Sequence, residues 1–502
     1  EGVRESIFIC VVVGIKEESI SDFEQCEVSN EILNDDNYES PSNFSDNESD
    51  NEPIDNDEDD TTDTLKADLS QWALKYAIHH KAINDLLPII SKYIPSCSLP
   101  RDARTLLKTP RKTNIVDLAG GQYVHFGLMP ALHSIMQEIK NAELSIDNIN
   151  LSLNIDDLPI SKSSTNSFWP ILISGNIFQT VEVIGVYYGQ KKPTSANDYL
   201  RKFVNELKSV IDNGFIYENR LIKVKLSTII CDTPAKSFIL NVKGHTGFSS
   251  CSKCTIAGQS VNRTTCFPYE DVPSRARTDE EFIRQSDEDY HRGRTILTEI
   301  PNIGLVTNVT LDYMHLVCLG IVKKLILLWI KRPLSVRIGN NDIIKCSRYM
   351  VLLHDMIPSE FSRKPRVLTD VNNWKATEFR QFILYTGPIV LQSFLKEHIY
   401  VHFLSFHVAL SILVSPSLVE EECNIKYAED LLKYFVENFQ TIYGVQFMSH
   451  NVHNLLHLCD EVRKFGSLDN FSAFPFENFM MQIKKVLRKF EKTTTTTSAK
   501  IW

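Results

Sequence analysis

The feature that most limits the folds open to this chain is a run of strand-like segments between residues 151 and 231. "LSLNID" places Leu151, Leu153 and Ile155 on one face and Ser152, Asn154 and Asp156 on the other, the period-2 signature of a strand. "FWPILISGN" and "TVEVIGVYYGQ" follow in quick succession, each separated by turn residues. After "KKPTSA" the period changes to that of a helix in "NDYLRKFVNELKSVIDNGF", where Leu200, Phe203, Val204, Leu207 and Ile211 share a face. A fourth strand, "RLIKVKLSTIIC", then ends at Asp232 and runs into "TPAKSFIL", a helix start with Pro near its first turn.

The order strand, strand, strand, helix, strand, helix is that of a ribonuclease-H-like core, a mixed α/β sheet flanked by helices. "LDYMHLVCLGIVKKLILLWIKR", "FRQFILYTGPIVLQSFLKEH" and "AEDLLKYFVENFQTIY" are long helical patterns. They read as a large all-helical insertion, because "FSAFPFENFMMQIKKVLRKF" after them supplies one more helix that the core lacks. The expected organisation is an acidic disordered tail (1–64), an N-terminal helical region (65–140) and the first part of the core (141–255). The mainly helical insertion (256–440), the final core helices (441–490) and a disordered end (491–502) complete it.

Charge separates these regions. Residues 1–63 hold 21 Asp and Glu against Arg4 and Lys16, a balance of −19, so the remaining chain carries +9. The acidic stretch has too few apolar residues to offset the entropy of ordering. A basic folded part suits a polyanionic partner. The run "SIFICVVVGI" is too short to span a bilayer, which takes ~20 apolar residues, and "GIVKKLILLWI" is interrupted by Lys323 and Lys324. No membrane partner is expected. Eleven cysteines are scattered apart from Cys251 and Cys254 in "CSKC", which points to a reducing compartment rather than a disulfide scaffold. The chain opens on Glu1 and stops in "KTTTTTSAKIW", so both ends are expected to be truncated.

Three acids stand where such a core can keep metal ligands: Asp156 after the first strand, Asp232 after the fourth, and Glu477 on the late helix. Phosphodiester chemistry can use two divalent cations about 3.5–4 Å apart, and magnesium takes hard carboxylate oxygens. Each acid also has a bland reading: Asp156 and Asp157 can open a polar turn, Asp232 can cap the helix after it, and Glu477 can favour a helix N-terminus. On the late helix Phe476, Met480, Ile483 and Leu487 form one stripe and Glu477, Met481, Lys484 and Arg488 another, a lone acid on an otherwise basic face. Cys251 and Cys254 have the spacing of half a zinc site, with Cys266, His245, His291 and His315 as candidates to complete it. His450, His453 and His457 fall at helical spacing but read as packing or surface residues.

Several blocks, in order, resemble those of animal transposase-domain proteins related to CACTA (En/Spm-like) DNA transposons: "NIDDLPISKSSTNSFWPIL", "IICDTPAKSFILNVKGHTGFSSCSKC", "LDYMHLVCLGIVKKLI" and "NVHNLLHLCDEVRKFGSLDNFSAFPFENFM". The resemblance covers about residues 66–490. It implies a DDE/D transposase in which Asp156, Asp232 and Glu477 hold two Mg²⁺ or Mn²⁺ ions, with cleavage at transposon ends followed by strand transfer into target DNA. It also implies a D-x-x-H motif at Asp312 and His315 serving as active-site support or DNA contact, and a structural zinc at Cys251 and Cys254. Lys484, Lys485 and Arg488 would meet DNA phosphates. Nuclear location and a homo-oligomeric active form follow from the same resemblance. Where the family pattern has Asp-Gly-Leu-Pro, this chain has Asp156-Asp157-Leu158-Pro159. The alternative is a degenerate or domesticated copy that binds DNA or protein without cutting.

Overall fold

The computed structural model describes residues 58–76, 78, 80–107, 114–160, 166–178 and 180–485. By contact density the chain divides into two units, one of residues 1–115 and 481–502 and the other of residues 116–480. In the first, helices Glu58–Lys75, His80–Tyr93 and Ala103–Leu106 enclose a small core of Ala73, Ile83, Leu87, Ala103 and Leu106. Asp102 caps the last of these helices through Arg104 N, and Asn84 Oδ1 accepts from Ala103 N at 2.6 Å. The first helix begins at Glu58, inside the stretch expected to be a disordered tail up to 64. Tail residues 1–57 and end residues 491–502 lie outside the described residues.

The second unit is built on a mixed sheet. Its strands are β1 (Ile115–Leu118), β2 (Gly121–His125), β3 (Asn148–Ile155), β4 (Leu158–Pro159), β5 (Ser167–Gly175), β6 (Val181–Gly189), β7 (Phe215–Tyr217) and β8 (Arg220–Ile229). Their spatial order is β1-β2-β6-β5-β3-β8-β7, with β4 pairing β5 off that path. β3 and β8 run parallel, while β2–β6, β6–β5, β5–β3 and β8–β7 are antiparallel. β5 is buried along its whole length, as its continuous apolar sequence requires of a strand covered on both faces.

The four strands read from the sequence are present, as is the helix Ala196–Asn213. Ser195 caps that helix by accepting from Asp198 N, and Gly214 ends it at φ 70°. Its face of Tyr199, Leu200, Phe203, Val204, Leu207 and Val210 is buried, each large apolar side chain contributing roughly 1.5–3 kcal/mol. Together with helix Leu128–Asn141 it joins Leu151, Leu153 and Ile155 of β3 in the main core.

Two expectations are corrected. The stretch 65–140 is not wholly helical: β1 and β2 form a hairpin whose turn residues Ala119 and Gly120 both have positive φ, and β2 extends the sheet beside β6. The insertion is not all-helical either. Its first part holds a hairpin of Gln259–Val261 and Thr264–Cys266 and much irregular chain. Val309 then returns to the sheet as a parallel bridge to Ile229. Longer helices begin only at Met314–Val322 and continue past 440 to Phe465.

Within this block Glu397–Val414 is, among the described residues, the one helix long and apolar enough to cross a membrane, and half of it is buried against protein. Its His402 is buried and stacks on Phe435 at 4.2 Å, with Nε2–H donating to Phe435 O at 2.9 Å. Burial pushes the His402 pKa down to about 4. A lowered histidine stabilises the fold above its unfolded value near 6.5, and that contribution is lost as pH falls through about 4. Unfolding by urea should therefore become easier by about 3 kcal/mol over that window. His402→Phe should flatten this part of the pH profile.

Two candidate metal centres

Asp156 stands where β3 ends, on the face opposite the core residues Leu151, Leu153 and Ile155. The strand end is fixed by its neighbour: Ile230 N donates to Leu153 O, and Asn154 Nδ2 donates to Ile230 O, both at 2.8 Å. That pairing brings the end of β8 alongside, with Asp232 just beyond it. Asp232 Oδ1 accepts from Ala235 N at 2.7 Å and so caps helix Thr233–Ile239, the bland role recognised from the sequence.

Glu477 comes from the late helix over 474–485, whose stripe of Phe476, Met480 and Ile483 is buried as its spacing predicts. The ligand atoms of Asp156, Glu477 and His315 all lie within 4.8 Å of one another. Asp232 is outside this tight group, but its charge acts on both Asp156 and His315. Burial first, then the charge of Asp232, hold the Asp156 carboxyl well above the usual carboxylate range; His315 opposes this, by more than Glu477 adds to it. Two clustered acids with a buried, reluctantly ionised carboxyl are a donor set that a hard cation would relieve.

His315 is oriented by Asp312. The Asp312 carboxylate is buried and takes His315 Nδ1 at 2.6 Å and His315 N at 3.0 Å on Oδ2. Its Oδ1 accepts from Ala473 N at 2.7 Å, one residue before the helix of Glu477. The D-x-x-H motif thus holds the imidazole and the start of the late helix with one carboxylate, leaving His315 Nε2 for the acidic group. Burial alone would lower the His315 pKa, but the Asp312 hydrogen bond and the charges of Asp312, Asp156 and Asp232 raise it to about 9. A cavity of about 200 Å³, lined by Asp232, Lys236, His245, Asp312, His315 and Asn451, adjoins the group.

Asp157 is exposed, donates its N–H to Asp156 Oδ1 at 2.7 Å, and does not take a positive φ. Aspartate at this position therefore imposes no left-handed backbone strain. Lys484 and Lys485 follow Glu477 on the late helix, half-buried and exposed respectively, and Arg488 lies outside the described residues.

The second group corrects the sequence reading. Cys251 and Cys254 are completed not by Cys266, His245, His291 or His315 but by His453 and His457, which were read as packing or surface residues. The S–S separation is 3.7 Å, Cys251 Sγ to His457 Nε2 is 3.6 Å, Cys254 Sγ to His453 Nε2 is 3.2 Å, and the two Nε2 atoms are 3.2 Å apart. Zinc bonds of about 2.3 Å to sulfur and 2.0–2.1 Å to nitrogen give tetrahedron edges of roughly 3.3–3.8 Å, close to these four values. Burial raises the Cys251 thiol, but hydrogen bonds from Cys254, His453 and His457 outweigh it and favour the thiolate; Cys254 is pushed the other way. Arg277 Nε supports the loop by donating to Cys251 O at 2.9 Å.

The signal that could have found the histidines is their i, i+4 spacing, which puts both on one side of a helical turn. A Cβ on Gly320 would stand 2.9 Å from the backbone His315 O and 2.4 Å from Asn451 Nδ2, the end of a side chain in their segment. The segment Gly320 belongs to, Met314–Val322, is π-helical, a wide turn frequent at functional sites.

No protein-family model matches the chain, and no curated protein matches it.

Proposed function

We propose that the chain is a transposon-derived DNA-processing enzyme of the DDE/D type, cutting transposon ends and joining the freed 3′ hydroxyl to target DNA, work that belongs in the nucleus. The observation that carries this reading is the meeting of Asp156, Glu477 and His315 within 4.8 Å, from a strand end, a late helix and the insertion motif. The sheet supports it. The order β6-β5-β3-β8, with β8 parallel to β3 and the Val309 segment parallel to β8, is consistent with the ribonuclease-H-like core this reading calls for.

Asp156 and Glu477 would hold magnesium or manganese, and Asp232 would turn its second oxygen to a second ion while keeping its helix cap. When bound, the ions supply activation of an attacking oxygen and stabilisation of the leaving one. The chain's own residues do the placing. Asp312 fixes the His315 ring through Nδ1, so that Nε2 points its charge at the acids and at a phosphate oxygen beside them. The Cys251, Cys254, His453 and His457 group is assigned to zinc, a closed four-ligand site of structural kind.

The test is cleavage of a plasmid carrying transposon terminal repeats in the presence of Mg²⁺. Wild-type chain should nick at the repeat ends and leave 3′ hydroxyls. Glu477→Gln should lose activity on the order of a thousandfold, about 4 kcal/mol of transition-state stabilisation. Equal cutting by the two would overturn the assignment.

A further inference from the structure

Between the two cysteines of the second group sits a lysine that neither centre uses. The Lys253 side chain is only 9% exposed, and its Nζ donates to Val306 O at 2.7 Å and Val309 O at 2.8 Å while pairing with the buried carboxylate of Glu461. Glu461 lies one turn after His457, on helix Leu458–Phe465, and its Oε2 has no hydrogen-bond partner. A buried pair of this kind is weak evidence for stability, because desolvation offsets most of the attraction. Its connections matter more.

Following the chain from each acceptor leads to the same place. Val309 bridges Ile229, three residues before Asp232, and the segment continues to Asp312. From Glu461 the chain runs through Leu468–Phe471 to Ala473, whose N–H donates to Asp312 Oδ1. Glu477 follows, with its N–H on Ala473 O at 2.9 Å. The result is a closed ring: the cysteine loop, Lys253, the Val306–Asp312 segment, Asp312 to Ala473, and back through the helix of Glu461 to the histidines.

We propose that Lys253 is a positioning residue for the acidic centre: with Glu461 it is the strut through which the Cys251–Cys254–His453–His457 group sets the spacing of Asp156, His315 and Glu477. The inference rests on the reading of Asp156 and Glu477 as a divalent-cation site. It goes beyond a structural role for the sulfur centre, since it says which side chain carries the order to the acids.

The experiment uses the full zinc-loaded chain without DNA and reads three quantities: zinc per chain, thermal unfolding, and Mn²⁺ affinity from the spin-resonance signal of free Mn²⁺. Lys253→Met should keep its zinc yet bind Mn²⁺ about tenfold or more weakly, the size expected when an outer support of a metal site is removed. Lys253→Arg should recover part of that affinity. Lys253→Met combined with Glu461→Leu should regain the melting temperature lost in the single variant, because no unpaired buried charge remains, and still bind Mn²⁺ weakly.

Wild-type Mn²⁺ affinity in the double variant would overturn the strut and leave an ordinary charge pair. Loss of zinc from Lys253→Met would overturn it too, by confining the lysine to the sulfur centre. A wild-type chain that binds Mn²⁺ no better than Asp156→Asn overturns the strut together with the function it rests on. One that binds Mn²⁺ as expected but does not cut DNA overturns the proposed function alone.

Discussion

Replacing Asp156 with Asn should abolish Mg²⁺-dependent strand cleavage and at the same time make the metal-free chain more stable. The first effect, on the order of a thousandfold or more, follows from the proposed function, in which Asp156 is one of two carboxylates that would share a cation. The second follows from the electrostatics of the acidic group itself. Burial, Asp232 and Glu477 all raise the Asp156 carboxyl above its ordinary range, so the folded chain binds a proton that the unfolded chain has already released. Stability from this group is full below the ordinary carboxyl range and is lost as pH rises through the raised folded value. At neutral pH the neutral amide lifts that cost, and in a unit of this size the melting temperature should rise by roughly 1 °C for each kcal/mol relieved. Calorimetry of metal-free wild type and Asp156→Asn across pH checks it. A variant that is less stable at every pH would show that the carboxylate is an ordinary structural acceptor. Activity bought with stability is the usual mark of a working site.

With the Cys251, Cys254, His453 and His457 group assigned to zinc as proposed, chelation should have the larger effect on folding. Structural zinc sites in small peptides carry about 10–16 kcal/mol of apparent binding energy. With a quarter of this, about 3 kcal/mol, linked to folding, the melting temperature should fall by roughly 4 °C on chelation. Cys254→Ser and His457→Ala should each reproduce the loss and abolish stoichiometric zinc. Cobalt in place of zinc should give the visible absorption of a tetrahedral thiolate site. Retention of metal and melting temperature in both variants would sink the assignment.

Much of the core could be read from residue spacing, because the segments that build it have unmixed periods. β3 alternates cleanly, and the helix Ala196–Asn213 keeps one apolar face along its length. The phase of β3 also separates Asp156 from Asp157: one is buried in the acidic group and the other exposed on the turn. β1 and β2 were hidden by brevity, four and five residues around a turn of Ala119 and Gly120, too short to outweigh the helical patterns on either side. The irregular chain before Met314 was absorbed into the insertion because the strong periodic segments lie beyond it.

The site was legible in its parts and not in its groupings. Each of Asp156, Asp232, Glu477, Asp312, His315, Cys251 and Cys254 stood out by type and neighbourhood. Which residues meet is a property of the sheet order and the return of the chain. His315 therefore joined the acids instead of the cysteines, and His453 and His457 took the place offered to it. No local pattern records a contact between residues about two hundred positions apart.

That separation has a consequence for how such a chain can change. Cys254 and His453 are 199 positions apart, yet their ligand atoms touch. Everything between them is a loop in the topological sense, pinned shut at its neck. The cost of closing a flexible loop grows only with the logarithm of its length, about 0.6 kcal/mol per doubling. Helices can thus be added or deleted between His315 and His450 without altering the distance across the neck. The lineage of such a protein could rebuild its middle many times over while the chemistry at the mouth of the loop stayed where it was.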